Sequence, residues 1–272
     1  MQARSALFDL YGDHLRPRGG RAPVAALVKL LAPLRIAPPA VRTAVSRMVR
    51  QGWLDPLRLV SGPGYSITPK AARRLDEAAA RIYRTGRVSW DGRFDLLVLS
   101  TPTSRRERQR LAANLSFLGY GTLDEQTWVA TRPAEDVDLL LDDAGVRYER
   151  FTASHAAGTR GAVEVVRRAW DLSEIGRAYE QFVAEQRPLL AMVTTRSDDE
   201  EAYAARFRLV HAWRTFLFRD PQLPPALLPE RWPGTAAASF FDRHATRLRP
   251  AADRYVEQCL DATNRTPRQK GR

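Results

Sequence analysis

Between residues 37 and 68 the chain is punctuated so closely that few supersecondary structures are open to it. Ala37-Pro38-Pro39-Ala40 sets proline in a first helical turn, where its missing N–H goes unused. Apolar residues then recur at helical spacing as far as Gln51, and Gly52 is the stop. Trp53 to Val60, the turn Ser61-Gly62-Pro63-Gly64 and Tyr65 to Thr68 read as a hairpin. Upstream, residues 5–11 and 23–31 have helical periodicity, separated by the loop Arg16-Pro17-Arg18-Gly19-Gly20-Arg21. Helix, helix, helix, hairpin is the order of a winged helix-turn-helix, assigned here to residues 1–68.

Residues 69–88 form a linker helix, opened by Thr68 as N-cap and Pro69 at the first position, with bases at Lys70, Arg73, Arg74, Arg81 and Arg84. A new unit starts at Trp90-Asp91-Gly92-Arg93. Strand 94–100, helix 104–118, strands 120–123 and 127–130, helix 134–143 and strand 146–151 give the order βαββαβ of a ferredoxin-like central domain, residues 89–160. Helices at 173–190, 197–217 and 235–260, with a proline-rich crossing at 221–233, make residues 161–262 a helical C-terminal domain. Residues 263–272 are a basic tail. The expected class is α+β.

Charge follows this division. Residues 1–87 carry 16 Lys and Arg against 5 Asp and Glu, while residues 88–262 carry 23 against 26. A segment of net charge +11 beside a slightly acidic body fits a nucleic-acid module joined to a part with another task. In the helix at 38–51, Val41, Val45, Met48 and Val49 share one face, and Arg42, Thr43, Ser46, Arg47 and Arg50 share the other. Arginines with short polar residues between them suit a major groove, where Arg bonds guanine in pairs and Thr or Ser reaches base edges or phosphate. Arg42, Thr43, Ser46 and Arg47 are therefore the base-contact candidates. Arg58 on the hairpin and Arg16, Arg18 and Arg21 in the glycine-rich loop are candidates for backbone or minor-groove contact. The alternative for every one of them is a solvated charged surface.

Other chemistry is sparse. Cys259 is the sole cysteine, so neither an intramolecular disulfide nor a four-thiolate metal site is open to the chain. No run approaches the roughly 18 apolar residues of a membrane span, and no secretory leader pattern opens the sequence, which is read as cytoplasmic. Phosphate loops, dinucleotide fingerprints, nucleophile elbows and His-Glu-x-x-His helices are absent from the sequence, and no cofactor or metal is expected. His14, His155, His211 and His244 are scattered. His211, Trp213 and Arg214, close together on one amphipathic stretch, are candidates for holding an acyl-CoA or aromatic acid, against the alternative of Trp213 in the core and Arg214 paired with a carboxylate. An enzymatic alternative is a metal-dependent nuclease built on Asp91 and Asp95, which flank the first central strand, although the central domain offers no obvious acid cluster beyond Asp142-Asp143. Against it stand turn capping for Asp91 and a solvent-facing strand position for Asp95. A third reading is an architectural DNA-binding protein with no effector.

Leu10-Tyr11-Gly12-Asp13, Arg16-Pro17-Arg18-Gly19-Gly20, Ala40-Val41-Arg42-Thr43-Ala44-Val45-Ser46-Arg47-Met48 and Gly52-Trp53-Leu54 resemble the N-terminal pattern of the PaaX-type transcriptional regulators. Trp90-Asp91-Gly92-Arg93 resembles the opening of that family's central domain. Asp220-Pro221-Gln222-Leu223-Pro224, Leu227-Leu228-Pro229 and Trp232-Pro233-Gly234 resemble its C-terminal signature. The resemblance implies a non-enzymatic, homodimeric repressor that binds double-stranded operator DNA through a winged helix. In the best-known members, which repress phenylacetate-degradation genes, an aryl-CoA thioester, phenylacetyl-CoA, is the effector that releases DNA. Two-fold symmetry then sets two reading helices about one DNA turn apart, or a multiple of it.

Overall fold

A computed structural model describes residues 1–83, 90–100 and 104–265, with side chains to residue 262. The linker helix beyond residue 83 and the basic tail beyond residue 265 lie outside the described residues. Helices and two antiparallel sheets divide into two compact units that alternate along the sequence. One comprises Met1–Arg84, Val183–Trp213 and Ser239–Arg272; the other comprises Thr85–Phe182 and Arg214–Ala238.

The first unit begins with α1 (Ala3–Leu10), which runs into a π turn at Tyr11–Leu15 and a 3-10 turn at Arg16–Arg18. The short strand β1 (Arg21–Pro23) follows where the sequence suggested only loop, and leads into α2 (Val24–Leu31). After a 3-10 turn at Ala32–Leu34 comes α3 (Pro38–Arg50), with proline in its first turn as expected. Its end is a Schellman cap: Trp53 N–H donates to Met48 O at 2.9 Å and Gly52 N–H to Val49 O at 2.9 Å. Gly52 supplies the required left-handed residue, φ +69°.

Strands β2 (Leu54–Leu59) and β3 (Gly62–Ile67) form the hairpin, and the sheet order is β1-β3-β2. The turn is not where the glycines placed it. Leu59 pairs with Gly62, so Val60-Ser61 is a two-residue connection and Gly62-Pro63-Gly64 belongs to the strand. Proline is tolerated in this central strand because β1 pairs only with Gly64 to Ser66 and leaves the Pro63 side open. Gly64 is needed for closeness: a Cβ there would lie 2.6 Å from Leu59 Cδ1 and 2.8 Å from Ala22 O. Thr68 then caps α4 (Pro69–Ile82), accepting from Ala71 N–H at 3.1 Å while its hydroxyl donates to Gly52 O at 2.8 Å.

The rest of the first unit is the end of α8 (Leu172–Ala191), α9 (Asp199–Trp213) and most of α10 (Pro233–Arg265). Tyr203, Ala204 and Phe207 of α9, and Ala252, Tyr255, Val256 and Cys259 of α10, share one core with Leu7, Leu10, Leu27, Leu30, Val41 and Val45. Charge is buried beside it. Arg206 is 1% exposed; both its Nη atoms pair with Asp13, its Nη2 reaches the Tyr83 hydroxyl at 3.4 Å, and its Nε donates to Ala245 O at 3.2 Å. Tyr83 also donates to Asp13.

In the second unit, β4 (Arg93–Leu99), α5 (Arg105–Phe117), β5 (Gly121–Thr122), β6 (Thr127–Ala130), α6 (Val137–Asp143) and β7 (Tyr148–Ser154) follow in that order. The sheet is antiparallel throughout, with strand order β5-β6-β4-β7. Leu97 and Leu99 of β4 pack with Leu111 and Leu115 of α5 and Val137 and Leu141 of α6, so both helices cover the same sheet face. The last strand continues to Ser154, three residues past the expected end, because β4 offers pairing partners as far as Arg93. α7 (Gly158–Ala169) follows, and the helix expected over 197–217 stops at Trp213, where a 3-10 turn, Arg214–Phe218, replaces it.

Burial by itself would raise the Asp13 carboxyl, but neighbouring His14 and Arg206 and the hydrogen bonds from Arg206 and Tyr83 hold it well below the usual carboxylate range. Burial pushes the His14 imidazole down to about 4 despite the pull of Asp13 and Asp253. The unfolded chain therefore takes up the His14 proton first, near its ordinary 6.5, and stability is lost as pH falls from there toward 4. Asp13 adds a further loss below about pH 4, where the unfolded carboxyl is protonated and the folded one is not. Urea midpoints at about pH 7.5 and about pH 5 should differ, and His14→Gln should shrink the difference. An equal drop in native and variant chains would remove His14 from this account.

Candidate nucleic-acid interface

On α3 the two faces separate as the periodicity requires. Val41, Ala44, Val45 and Met48 are buried, Val49 is half-buried, and Arg42, Thr43, Ser46, Arg47 and Arg50 are exposed. Among the described residues, none of these three arginines is ion-paired to a carboxylate. Five polar side chains thus stand out from a helix whose opposite side is fixed in the core, an arrangement that holds the helix still while its outer face meets a ligand.

The turn ahead of α3 is fixed from a distant part of the chain. Arg208 of α9 donates through Nη2 to Pro33 O at 2.9 Å. Arg35 follows with φ +59°, its N–H donating to Ala32 O at 2.8 Å, and its side chain is exposed beside the start of α3. Sequence reading passed over Arg35, although a base in a proline-bounded turn before such a helix was a usable signal. On the hairpin, Arg58 is exposed opposite Pro63, and the tip residue Val60 is fully exposed at 105%.

The remaining loop candidates divide. Arg21 lies at the start of β1 and is exposed, without a carboxylate partner among the described residues. Arg16 pairs with Asp76 of α4. Arg18 is occupied further: Nη1 donates to His14 O at 2.9 Å, and Nη2 to Asp253 at 3.1 Å and Glu257 at 3.2 Å, both on α10. Two of the three expected phosphate contacts thus also make ion pairs within the molecule, and those of Arg18 were beyond reach of the sequence because Asp253 and Glu257 lie more than two hundred residues away.

Asp95 and Asp91, two of the acids considered for metal chemistry, are engaged elsewhere. Asp95, expected to face solvent, is 5% exposed on the helix-covered side of its sheet. Arg150 of β7 grips it with two bonds, Nε to Oδ1 at 2.9 Å and Nη2 to Oδ2 at 3.1 Å, and Tyr120 donates to it as well. The third guanidinium nitrogen reaches Asp138 at 2.5 Å. A carboxylate in such a fork is an ion-pair partner whose lone pairs are in use. Asp91 caps its turn, accepting from Arg93 N–H at 3.0 Å. Among the described residues no group of three or more His, Cys, Asp or Glu is arranged to hold a metal ion.

The three effector candidates also meet other partners. His211 Nδ1 lies 2.6 Å from Asp9 Oδ2. Trp213 is buried, stacked on Phe241 at 4.8 Å between ring centroids, and its indole N–H donates to Ile82 O at 3.2 Å. Its ring lies in the core, one face against Phe241. Arg214 opens the 3-10 turn after α9, where burial lowers its pKa to about 10.

Family models match the chain in succession: PaaX-like protein at residues 2–71, PaaX protein central Cas2-like domain at 87–166, and PaaX-like protein C-terminal domain at 170–258. Transcriptional repressor PaaX of Escherichia coli strain K12 is 32% identical over 265 residues, covering 93% of this chain and 83% of that protein. Among solved structures, Uncharacterized protein Rv0674 from Mycobacterium tuberculosis is similar at 25% identity, with a TM-score of 0.57 over 93% of this chain and 98% of that one.

The sorting of arginines can be measured as stability. Arg18→Ala removes hydrogen bonds to two carboxylates and a carbonyl and should lower unfolding free energy by about 1–3 kcal/mol. Arg47→Ala and Arg58→Ala, at surface positions, should stay within about 0.5 kcal/mol of the native chain in the same urea titration. Equal effects at all three positions would contradict the division.

Proposed function

The chain belongs to the PaaX family, and from that premise we propose that it is a repressor that reads operator DNA through α3. The observation that carries this is the exposed, acid-free row Arg42, Thr43, Ser46, Arg47 and Arg50 on a helix anchored from behind. Three helices followed by a hairpin on a three-stranded sheet support a winged helix-turn-helix, with α3 in the major groove and Arg58 and Val60 at the wing's edge and tip. Arg21 and Arg35 are backbone contacts in this reading. The order βαββαβ with strands β5-β6-β4-β7, all antiparallel, supports a ferredoxin-like central domain. The family matches at 2–71, 87–166 and 170–258 support divisions near residues 68, 88 and 160.

The protein acts as a homodimer on a two-fold related operator, governs genes for an aromatic acid of the phenylacetate type, and is released by an aryl-CoA thioester. That effector works by preferring one arrangement of the dimer, since a ligand with equal affinity for both shifts nothing. It is a regulator and not an enzyme; the occupied state of Asp95 favours this over the nuclease alternative.

Anisotropy titration on the chain's own upstream DNA tests the reading. Arg42→Ala and Arg47→Ala should each cost about 1–3 kcal/mol of specific binding, whereas Arg58→Ala should reduce the slope of log affinity against log salt by about one. Phenylacetyl-CoA should release the native complex, and Mg²⁺ should leave the DNA intact. Native affinity in both α3 variants would overturn the docking, and cleavage would reinstate the nuclease.

A further inference from the structure

Where α8 and α10 meet within the first unit, basic side chains gather around His244. Arg187 of α8 and Arg243 and Arg247 of α10 all lie near His244 of α10, and among the described residues none of the three arginines is ion-paired to an acid. Elsewhere in this chain well-placed arginines find carboxylates: Arg16 with Asp76, Arg18 with Asp253 and Glu257, Arg150 with Asp95, Arg206 with Asp13 and Arg254 with Asp199. Convergence of like charge is unfavourable unless an anion joins it.

The cluster is held in place by neutral groups. The Arg187 guanidinium lies over the Phe240 ring, 5.6 Å from its centroid, and the His244 ring is 4.6 Å from the same Phe240. Arg247 donates through Nη1 to Val193 O at 2.9 Å and through Nη2 to Leu190 O at 3.3 Å, at the end of α8. Those carbonyls orient the guanidinium and leave its charge uncompensated, with three of its five N–H groups still available. Arg243 is one turn before Arg247, on the same side of α10. His244 is half-buried, and its Nδ1 is shielded from solvent and has no hydrogen-bond partner. Burial first, then Arg247, Arg243 and Arg187, push its pKa below the ordinary value, so at neutral pH it offers an uncharged imidazole among three fixed cations.

We propose that Arg187, Arg243, His244 and Arg247 form a binding site for a small ligand carrying two or more phosphates, such as a nucleoside diphosphate group. Guanidinium forks match phosphate oxygens in pairs, and three of them balance a diphosphate. A compact ligand suits the site better than a duplex does. Two of the forks are immobilised and the imidazole nitrogen is recessed, whereas duplex phosphates form a convex ridge that meets protruding, mobile side chains. The site rests on no step of operator reading by α3.

The test is calorimetric titration of the full-length protein, at low salt, with inorganic pyrophosphate, ADP and coenzyme A in separate runs. Saturable binding by at least one of them is expected, and Arg187→Gln and Arg243→Gln should each weaken it about tenfold or more. Both positions are exposed, and thermal melts should show both variants folded. Pyrophosphate alone binding would point to a bare phosphate site, whereas a preference for ADP or coenzyme A would mean that the adenosine is also recognised. Absence of saturation up to about 10 mM with all three probes, or native affinity in both variants, would overturn the proposal. So would a loss of operator affinity with a shallower salt slope in these variants, since the arginines would then belong to DNA. Intact phosphate binding alongside failed α3 variants would leave this site standing and remove the reading helix.

Discussion

The ion pair between Asp13 and Arg206 is the constraint on which the first unit depends. Arg206 is almost wholly buried, and through it four segments meet: the π turn after α1, the end of α4, α9 itself and α10 at Ala245. A buried charge is costly to strand, so once Arg206 is inside, all of its partners must stay where they are. The pair need not add net stability over an apolar equivalent. In this arrangement of the helices the guanidinium, the carboxylate and the Tyr83 hydroxyl are satisfied together.

That arrangement connects directly to α3. The helix that carries Arg206 also carries Arg208, bonded to the turn before α3, and His211, facing Asp9 of α1. α9 therefore touches the N-terminal helices at three points along its length, and the exposed arginines of α3 inherit their positions from it. Movement along α9 would be felt at Pro33, four residues before the N-cap of α3.

What the sequence disclosed was governed by range. α3 was legible because its proline start, glycine stop and 3.6-residue alternation are local, and its buried and exposed faces match the pattern residue by residue. The hairpin was legible as an element but not in its turn, since Ser61-Gly62-Pro63-Gly64 contains enough turn-forming residues to favour the wrong connection, and only the approach of Ala22 and Leu59 to Gly64 fixes the register. Long-range charge was not legible at all. Nothing near Arg18 marks it as a partner of α10, and nothing near Asp95 shows that Arg150 will grip it, because a charged residue looks the same in sequence whether it faces water or a partner. The family resemblance supplied the rest of the functional reading; the residues alone left a basic module with a choice of tasks.

The shared core of α1, α2, α3, α9 and α10 bears on how the protein is made. Ala252, Tyr255, Val256 and Cys259 are made long after Leu7 and Leu10, yet they close the hydrophobic cluster those residues begin. Synthesis at some 5–20 residues per second leaves the N-terminal helices waiting on the order of ten seconds or more for these partners. Until then their apolar surfaces are open and Arg18 lacks Asp253 and Glu257. A chain stopped before α10 would thus lack the side chains that complete the core behind α3, so the reading face of that helix rests on residues made long after it.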